Sequence, residues 1–547
     1  MFRISFLLAT AVAAIGCAHR AKSAGQAPPA PPLFDDLGSH GWPITTKNPA
    51  AQRYFDQGLR LLYAFNVEEA EQSFRHCAWL DAKAAMCYWG AALAQGPNIN
   101  VPRMPDREKA LTPWLARARA FAKGAGPKER ALIEALARRH ADPPAGDAAA
   151  QKALDQAYAD AMREVHKSFP DDDDIAVLFA ESLMMLRPWD YWGPDGKPYP
   201  GIDEVVAALE TVLGRNPRHV GATHYYIHAV EASPTPEKAL DAAATMGSMM
   251  PGAGHLVHMP SHIYMRTGRY AEASEWNRRA IEADKRYTEK AGQRHIYQMY
   301  VVHNFHFLWT SSMMEGRSEE ALRAARNVVA GTPIEMLKQM PGYDYFLVAP
   351  VYGFARFGRW DDVLAEPAPA GDFAYATAIW HWARGMGYAA KGKLDDAAKE
   401  LEAVAAAEAA TPAEATQALN SAKTLLSIAK KTLEGELATR RRKWPDAIRL
   451  LEEAVKLEDG LRYDEPPDWP FPVRHLLGAV LLDAGKAAQA ETVYRDDLKR
   501  NPENGWALAG LHKTLRGRKN KAAAVEVRQR LDKAWSAADV KIDGSRL

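Results

Sequence analysis

The sequence predicts an all-α chain of helix–turn–helix repeats stacked into a solenoid. Two observations predict it. Small residues and glycines recur in one register from about Ala51 onward, with units starting at Val220 and again at Gly254, 34 residues later. Histidines fall at spacings of three, four and seven, which place each set along one face of one helix.

Residues 1–16 read as a signal peptide. Arg3 supplies a positive start and Phe6 to Ile15 a short apolar run, too short to serve as a spanning helix. Ala14-Ile15-Gly16-Cys17 resembles a bacterial lipobox, which implies a lipid anchor on Cys17. The pattern usually carries Leu where this chain has Ala14, so ordinary secretory cleavage to the periplasm stays open. Residues 17–33 then form a Pro/Ala-rich tether (Ala27 to Pro32 is APPAPP). Cys77 and Cys87 are the only other cysteines. They could pair in an oxidising compartment, or serve as two small core residues.

The 547 residues are 47% hydrophobic and 25% charged, with a net charge of +1. That is enough apolar material for a long core, and no one-signed field invites DNA or RNA, so no nucleic-acid partner is expected. There is no phosphate-cradling glycine loop, no GxSxG elbow and no CxxC pair.

The repeat units carry Tyr54, Gly58, Ala70 and Phe74 after Ala51, and Ser261, Gly268, Ala273 and Ala280 after Gly254. Further units start near Ala85, Val302, Asp344, Ala378, Ile428 and Gly505, and one from Phe471 holds Gly485, Ala490, Tyr494 and Pro502. This pattern resembles the tetratricopeptide repeat (TPR), in about nine or ten units. The resemblance implies a TPR-type α-solenoid, a right-handed superhelix whose concave surface binds ligands. It divides the chain into N-terminal repeats (34–146), central repeats (147–340) and C-terminal repeats (341–540).

Asp106 to Leu186 is helical but fits the register poorly, and Asp171 to Asp174 caps the next helix rather than forming a calcium loop. Arg187 to Pro200 (RPWDYWGPDGKPYP) must be irregular. Asp284 to Met299 reads as an insertion that could act as a lid. Pro97-Asn98-Ile99-Asn100 is a turn that could reach into the groove.

In TPR numbering, His224, His228 and Glu231 take positions 5, 9 and 12 of one first helix. His255, His258 and His262 take 2, 5 and 9 of the next, and His303 and His306 take 2 and 5 of a third. The resemblance implies that these positions face the concave groove. Seven of the chain's 17 histidines thus converge on neighbouring rungs. Imidazoles with one carboxylate suit zinc, copper, iron or nickel, of which zinc or copper is the expected ion, and pairs four apart can chelate from a single helix. Nearby Met249, Met250, Met259, Met265, Met313 and Met314 would tilt it toward copper. Glu231 is the candidate ligand, anchor or catalytic base for a metal-bound water. Pro260 either kinks the helix between His258 and His262 or starts it there. Tyr225, Tyr226, Tyr264, Tyr297 and Tyr300 could line the pocket. Two readings follow: an exported protein with a histidine-lined metal site, enzymatic or not, or an interaction scaffold of the cell envelope holding an unknown protein or peptide in its groove.

Overall fold

The computed structural model describes residues 30–142, 145–292 and 295–547. The expected leader, Cys17 and most of the tether lie outside them. The last tether residues are not free: the Pro31 and Pro32 carbonyls accept from Tyr54 Oη (3.1 Å) and Gln57 Nε2 (3.0 Å).

Among the described residues the chain is a succession of α-helices with three short 3-10 turns, and its one sheet is a two-stranded ribbon, Thr416–Gln417 with Asn420–Ser421. Consecutive helices pack as hairpins. Pro49–Tyr63 lies against Val67–Leu80, Ala374–Ala390 against Leu394–Ala410, and Val473–Asp483 against Ala487–Arg500. The small residues of the register explain the close approach. A Cβ on Gly58 or Gly90 would lie 2.7 or 2.4 Å from the Phe74 ring, so two glycines clamp that ring between successive hairpins. Gly478 and Gly510 do the same to Tyr494. Burying such a ring stabilises the stack by about 2–3 kcal/mol. At the turn, Gly485 has φ +75°, a left-handed conformation that glycine adopts without steric cost.

Cys77 and Cys87 form a disulfide that ties the first hairpin to the next helix. The stretch that fits the register poorly still makes helices, Pro105–Phe121, Pro127–Arg138, Ala148–Ser168 and Asp173–Met184, packed in sequence. Hairpins with a 21-residue helix fall outside a 34-residue period without ceasing to be hairpins. The expected insertion after Asp284 is a correction of the same kind. Helix Tyr270–Ala291 extends into it and another helix starts at His295, so its described residues are mainly helical rather than an inserted loop. The apolar core runs from Phe34 to Tyr300 as one body and continues from Val302 as a second. The histidine helices sit at that junction.

Candidate metal centre

Three helical segments carry the histidines. Val220–Val230 presents His224 and His228. Gly254–His258 and Pro260–Arg266 present His255, His258 and His262, and His295–Met314 presents His303. Pro260 opens the second of the two short helices, and Met259 between them keeps helical dihedrals (φ −50°, ψ −36°). The chain therefore bends at the proline without unwinding, which leaves His258 and His262 on one side.

The ring nitrogens converge in two sets. One nitrogen each from His224, His228 and His255 lie within 4.8 Å of one another, and so do those of His258, His262 and His303. Within the first set, His224 Nε2 is 3.1 Å from both His255 Nε2 and His228 Nε2. Within the second, His258 Nε2 is 2.8 Å from His262 Nε2. All these rings are at most 1% exposed except His303, which is half-buried.

The other nitrogens determine what faces inward. His224 Nδ1 lies 2.7 Å from the Tyr63 carbonyl, which can only accept, so Nδ1 carries the proton and Nε2 a lone pair. His228 Nδ1 donates to Glu231 Oε1 at 2.8 Å, with the same consequence. His258 Nδ1 donates to Asn277 Oδ1 at 2.8 Å. That amide's orientation is fixed because its Nδ2 donates to the Ala273 carbonyl. His262 Nδ1 donates to Glu231 Oε2 and lies 3.0 Å from Glu465 Oε2. Lone pairs therefore face each other between His224 and His228, a repulsive arrangement unless a positive charge sits between them.

A proton is a poor choice for that charge. Burial, with His228 and other imidazoles nearby, holds His224 well below the usual histidine range, and burial likewise lowers His228, His255, His258 and His303. The exception is His262. Burial opposes its charge, but Glu231 and Glu465 beside it raise its pKa, so one proton can join it to His258. Burial also pushes Glu465 up to about 7 against the pull of His262. A metal ion bonded to three nitrogens meets the requirement of the first set directly. Bonds of 2.0–2.1 Å in a tetrahedral site separate neighbouring nitrogens by about 3.3 Å, close to the spacings here.

Glu231 is 1% exposed and both its oxygens receive imidazole N–H groups, with Tyr463 Oη at 3.4 Å from Oε2. It anchors one ring from each set, which places it behind the rings rather than beside a reacting water. That corrects the expectation of a catalytic base. His306 is a second correction. Three residues beyond His303, it is rotated off that face. Its ring stacks on Trp309 with centroids 5.2 Å apart, and burial lowers its pKa to about 3. Met249, Met250 and Met259 pack in the first apolar core and Met313 in the second.

The expected open groove is the third correction, because distant segments cover the imidazoles. Phe65 stacks against His255 (5.4 Å between centroids), Trp189 meets His228 edge-on (5.0 Å), and Phe307 abuts His258 and His262 (4.5 and 4.6 Å). Of the expected tyrosines, Tyr300 contacts His255 and Tyr225 stacks on His224. Tyr226 bonds Glu210, Tyr297 bonds Asp284, and Tyr264 lies beneath Arg269. The irregular 187–200 loop delivers Trp189, whose Nε1 donates to the Ile99 carbonyl at 2.9 Å, so the polar turn at 97–100 helps hold this cover. Tyr463 and Glu465 come from the C-terminal repeats and also line a cavity of about 530 Å³ with Arg266, Tyr270, Asp468 and Trp469.

Sequence reasoning missed Asn277, Glu465, Tyr463 and the Tyr63 carbonyl. It also missed a separate polar cluster. Asp174 accepts from Tyr63 Oη (2.8 Å) and His40 Nε2 (2.9 Å), with His219 Nε2 at 3.5 Å. Those donors satisfy the carboxylate, so this group reads as structure. Asp172, by contrast, caps its helix as expected, accepting from the Ile175 N–H.

No family model matches the chain, and no curated protein does. Solved structures align over most of its length at low similarity. A human IFIT1 dimer with PPP-AAAA is 12% identical over 87% of this chain and 88% of that one, with a TM-score of 0.31. Yeast Tom70 is 12% identical over 89% of this chain and 98% of that one, with a TM-score of 0.32. Similarity at that level carries nothing about the site, and the repeat architecture rests on this chain's own hairpins.

Proposed function

We propose that this chain is an exported transition-metal-binding protein whose centre is built from histidines on successive helical repeats. The observation that carries this reading is the pair of facing Nε2 lone pairs at 3.1 Å between His224 and His228, whose Nδ1 atoms both donate to fixed acceptors. All-imidazole donors select zinc or copper over calcium and magnesium, which prefer oxygen. The Cys77–Cys87 disulfide supports an oxidising compartment, in keeping with the predicted leader and an anchor at Cys17. Burial withdraws the imidazoles from any peptide lying in a groove, which favours the metal reading over the scaffold. The cavity beside Glu465 and Tyr463 leaves room for a small substrate, so an enzymatic role fits the same site.

Elemental mass spectrometry on protein purified without chelators or a His tag tests the reading. Metal in the parent, lost in a His224→Gln/His228→Gln/His258→Gln/His262→Gln variant that keeps its helical circular dichroism, supports it. A parent that carries no metal and takes up neither zinc nor copper refutes it.

A further inference from the structure

We infer that the centre holds two metal ions, one on His224, His228 and His255 and the other on His258, His262 and His303. The inference rests on the metal-binding reading above and adds stoichiometry and architecture to it.

The helices divide the donors in this way. Each set is founded on a pair four residues apart, His224 with His228 and His258 with His262, the spacing that lets one turn of helix chelate one ion. Each set then takes its third imidazole from a neighbouring segment: His255 turns back to the first pair, and His303 comes forward from the following hairpin. Close Nε2 contacts, 2.8–3.1 Å, occur within the sets. Ring centroids alone do not separate the sets, since they stand 4.7–6.1 Å apart within them and 5.4 and 6.1 Å apart for His228–His262 and His255–His258 between them; the division rests on the ring nitrogens, one from each member lying within 4.8 Å of the others in its set. One ion bound by all six would need an octahedron of nitrogens with every adjacent edge near 3.0 Å, given bonds of 2.0–2.1 Å. Two compact groups do not make that figure.

Glu231 joins the groups. Its two oxygens hold the Nδ1 atoms of His228 and His262, one ring from each set, so a single carboxylate orients both donor groups. Glu231 and Glu465 also place buried carboxyl groups behind the imidazoles, Glu231 on His228 and His262 and Glu465 beside His262, where they offset part of the positive charge that bound ions bring. Each set has one firmly anchored pair and a less constrained third ring. His255 Nδ1 is buried without a hydrogen-bond partner, and His303 is half-buried.

The full chain is loaded with zinc, and separately with copper, desalted and measured by elemental mass spectrometry beside His255→Gln, His303→Gln and the double variant. Two ions per chain in the parent, one in each single variant and none or a trace in the double variant is the expected result. One ion per chain in the parent, or total loss in either folded single variant, overturns the two-ion centre while the metal-binding reading stands. A parent that takes up neither metal fails the metal-binding reading itself, and this inference with it. Paramagnetic resonance on the copper(II)-loaded parent supplies a readout that does not depend on the variants folding. Spin coupling between two ions in one centre gives a half-field transition; two coppers that give only isolated signals refute the shared centre.

Discussion

Replacing Glu231 by Gln tests whether its charge organises the centre. The carboxylate accepts from two imidazole N–H groups, whereas an amide has one accepting oxygen and an NH2 that would oppose the other N–H. The structure indicates which ring gives way. His228 Nδ1 has Glu231 as its acceptor, while His262 Nδ1 also lies 3.0 Å from Glu465 Oε2. The amide oxygen therefore goes to His228, and His262 leans on Glu465. Losing a partner behind a metal ligand costs 10–100-fold in metal affinity. With one backup acceptor, the loss for Glu231→Gln falls at the low end, about 10-fold or roughly 1.4 kcal/mol. Glu231→Gln/Glu465→Gln removes the backup, and its loss exceeds the sum of the single effects. The assay is competition with a chromophoric chelator of known affinity at fixed pH, run on all three variants. An affinity within twofold of the parent for the double variant would refute the anchoring argument.

Other consequences can be checked without metal. Gly90→Ala puts a methyl group 2.4 Å from the Phe74 ring, and thermal unfolding should show a loss of about 1–3 kcal/mol; an unchanged midpoint contradicts the clamp. Reducing Cys77–Cys87, which closes a loop between residues ten apart, should cost about 2–3 kcal/mol in a denaturant titration, and Cys77→Ser/Cys87→Ser should no longer respond to reductant. Burial would raise Asp174, but His219, His40 and Tyr63 around it hold its carboxyl well below the usual range. Stability linked to a depressed carboxyl is present above its unfolded pKa and declines as pH falls below about 4. Asp174→Asn should thus be less stable than the parent at pH 7 by about 2–3 kcal/mol, with the gap narrowing below pH 4; a gap independent of pH contradicts the assignment.

The repeat fold was legible because its determinants are local. Gly58 and Phe74 are partners within one hairpin, and a left-handed glycine marks several of the turns, among them Gly268, Gly316, Gly392 and Gly485, although Phe65, Arg442 and Lys519 take that place in others. The histidines were legible for the same reason, since spacings of three and four on a helix determine which side chains share a face. That logic extends only as far as one helix. It grouped His306 with His303, although a rotation of about 60° sends His306 to Trp309. It took Asp284 to Met299 for an insertion because the repeat register stops there, although helix geometry continues through Ala291.

By itself, then, the sequence determined that this is a stack of helical hairpins with imidazoles on three neighbouring rungs, because helix periodicity and small-residue spacing act over a few residues. Tertiary structure alone decided how those imidazoles are used. The Tyr63 carbonyl, Asn277 and Glu231 fix the tautomers, so that the lone pairs point inward. Tyr463 and Glu465, more than 200 residues from Glu231 along the chain, close over the rings. The physical reason is that a hydrogen bond depends on distance in space, and no spacing in a sequence records which distant turn the solenoid brings back to cover its own groove.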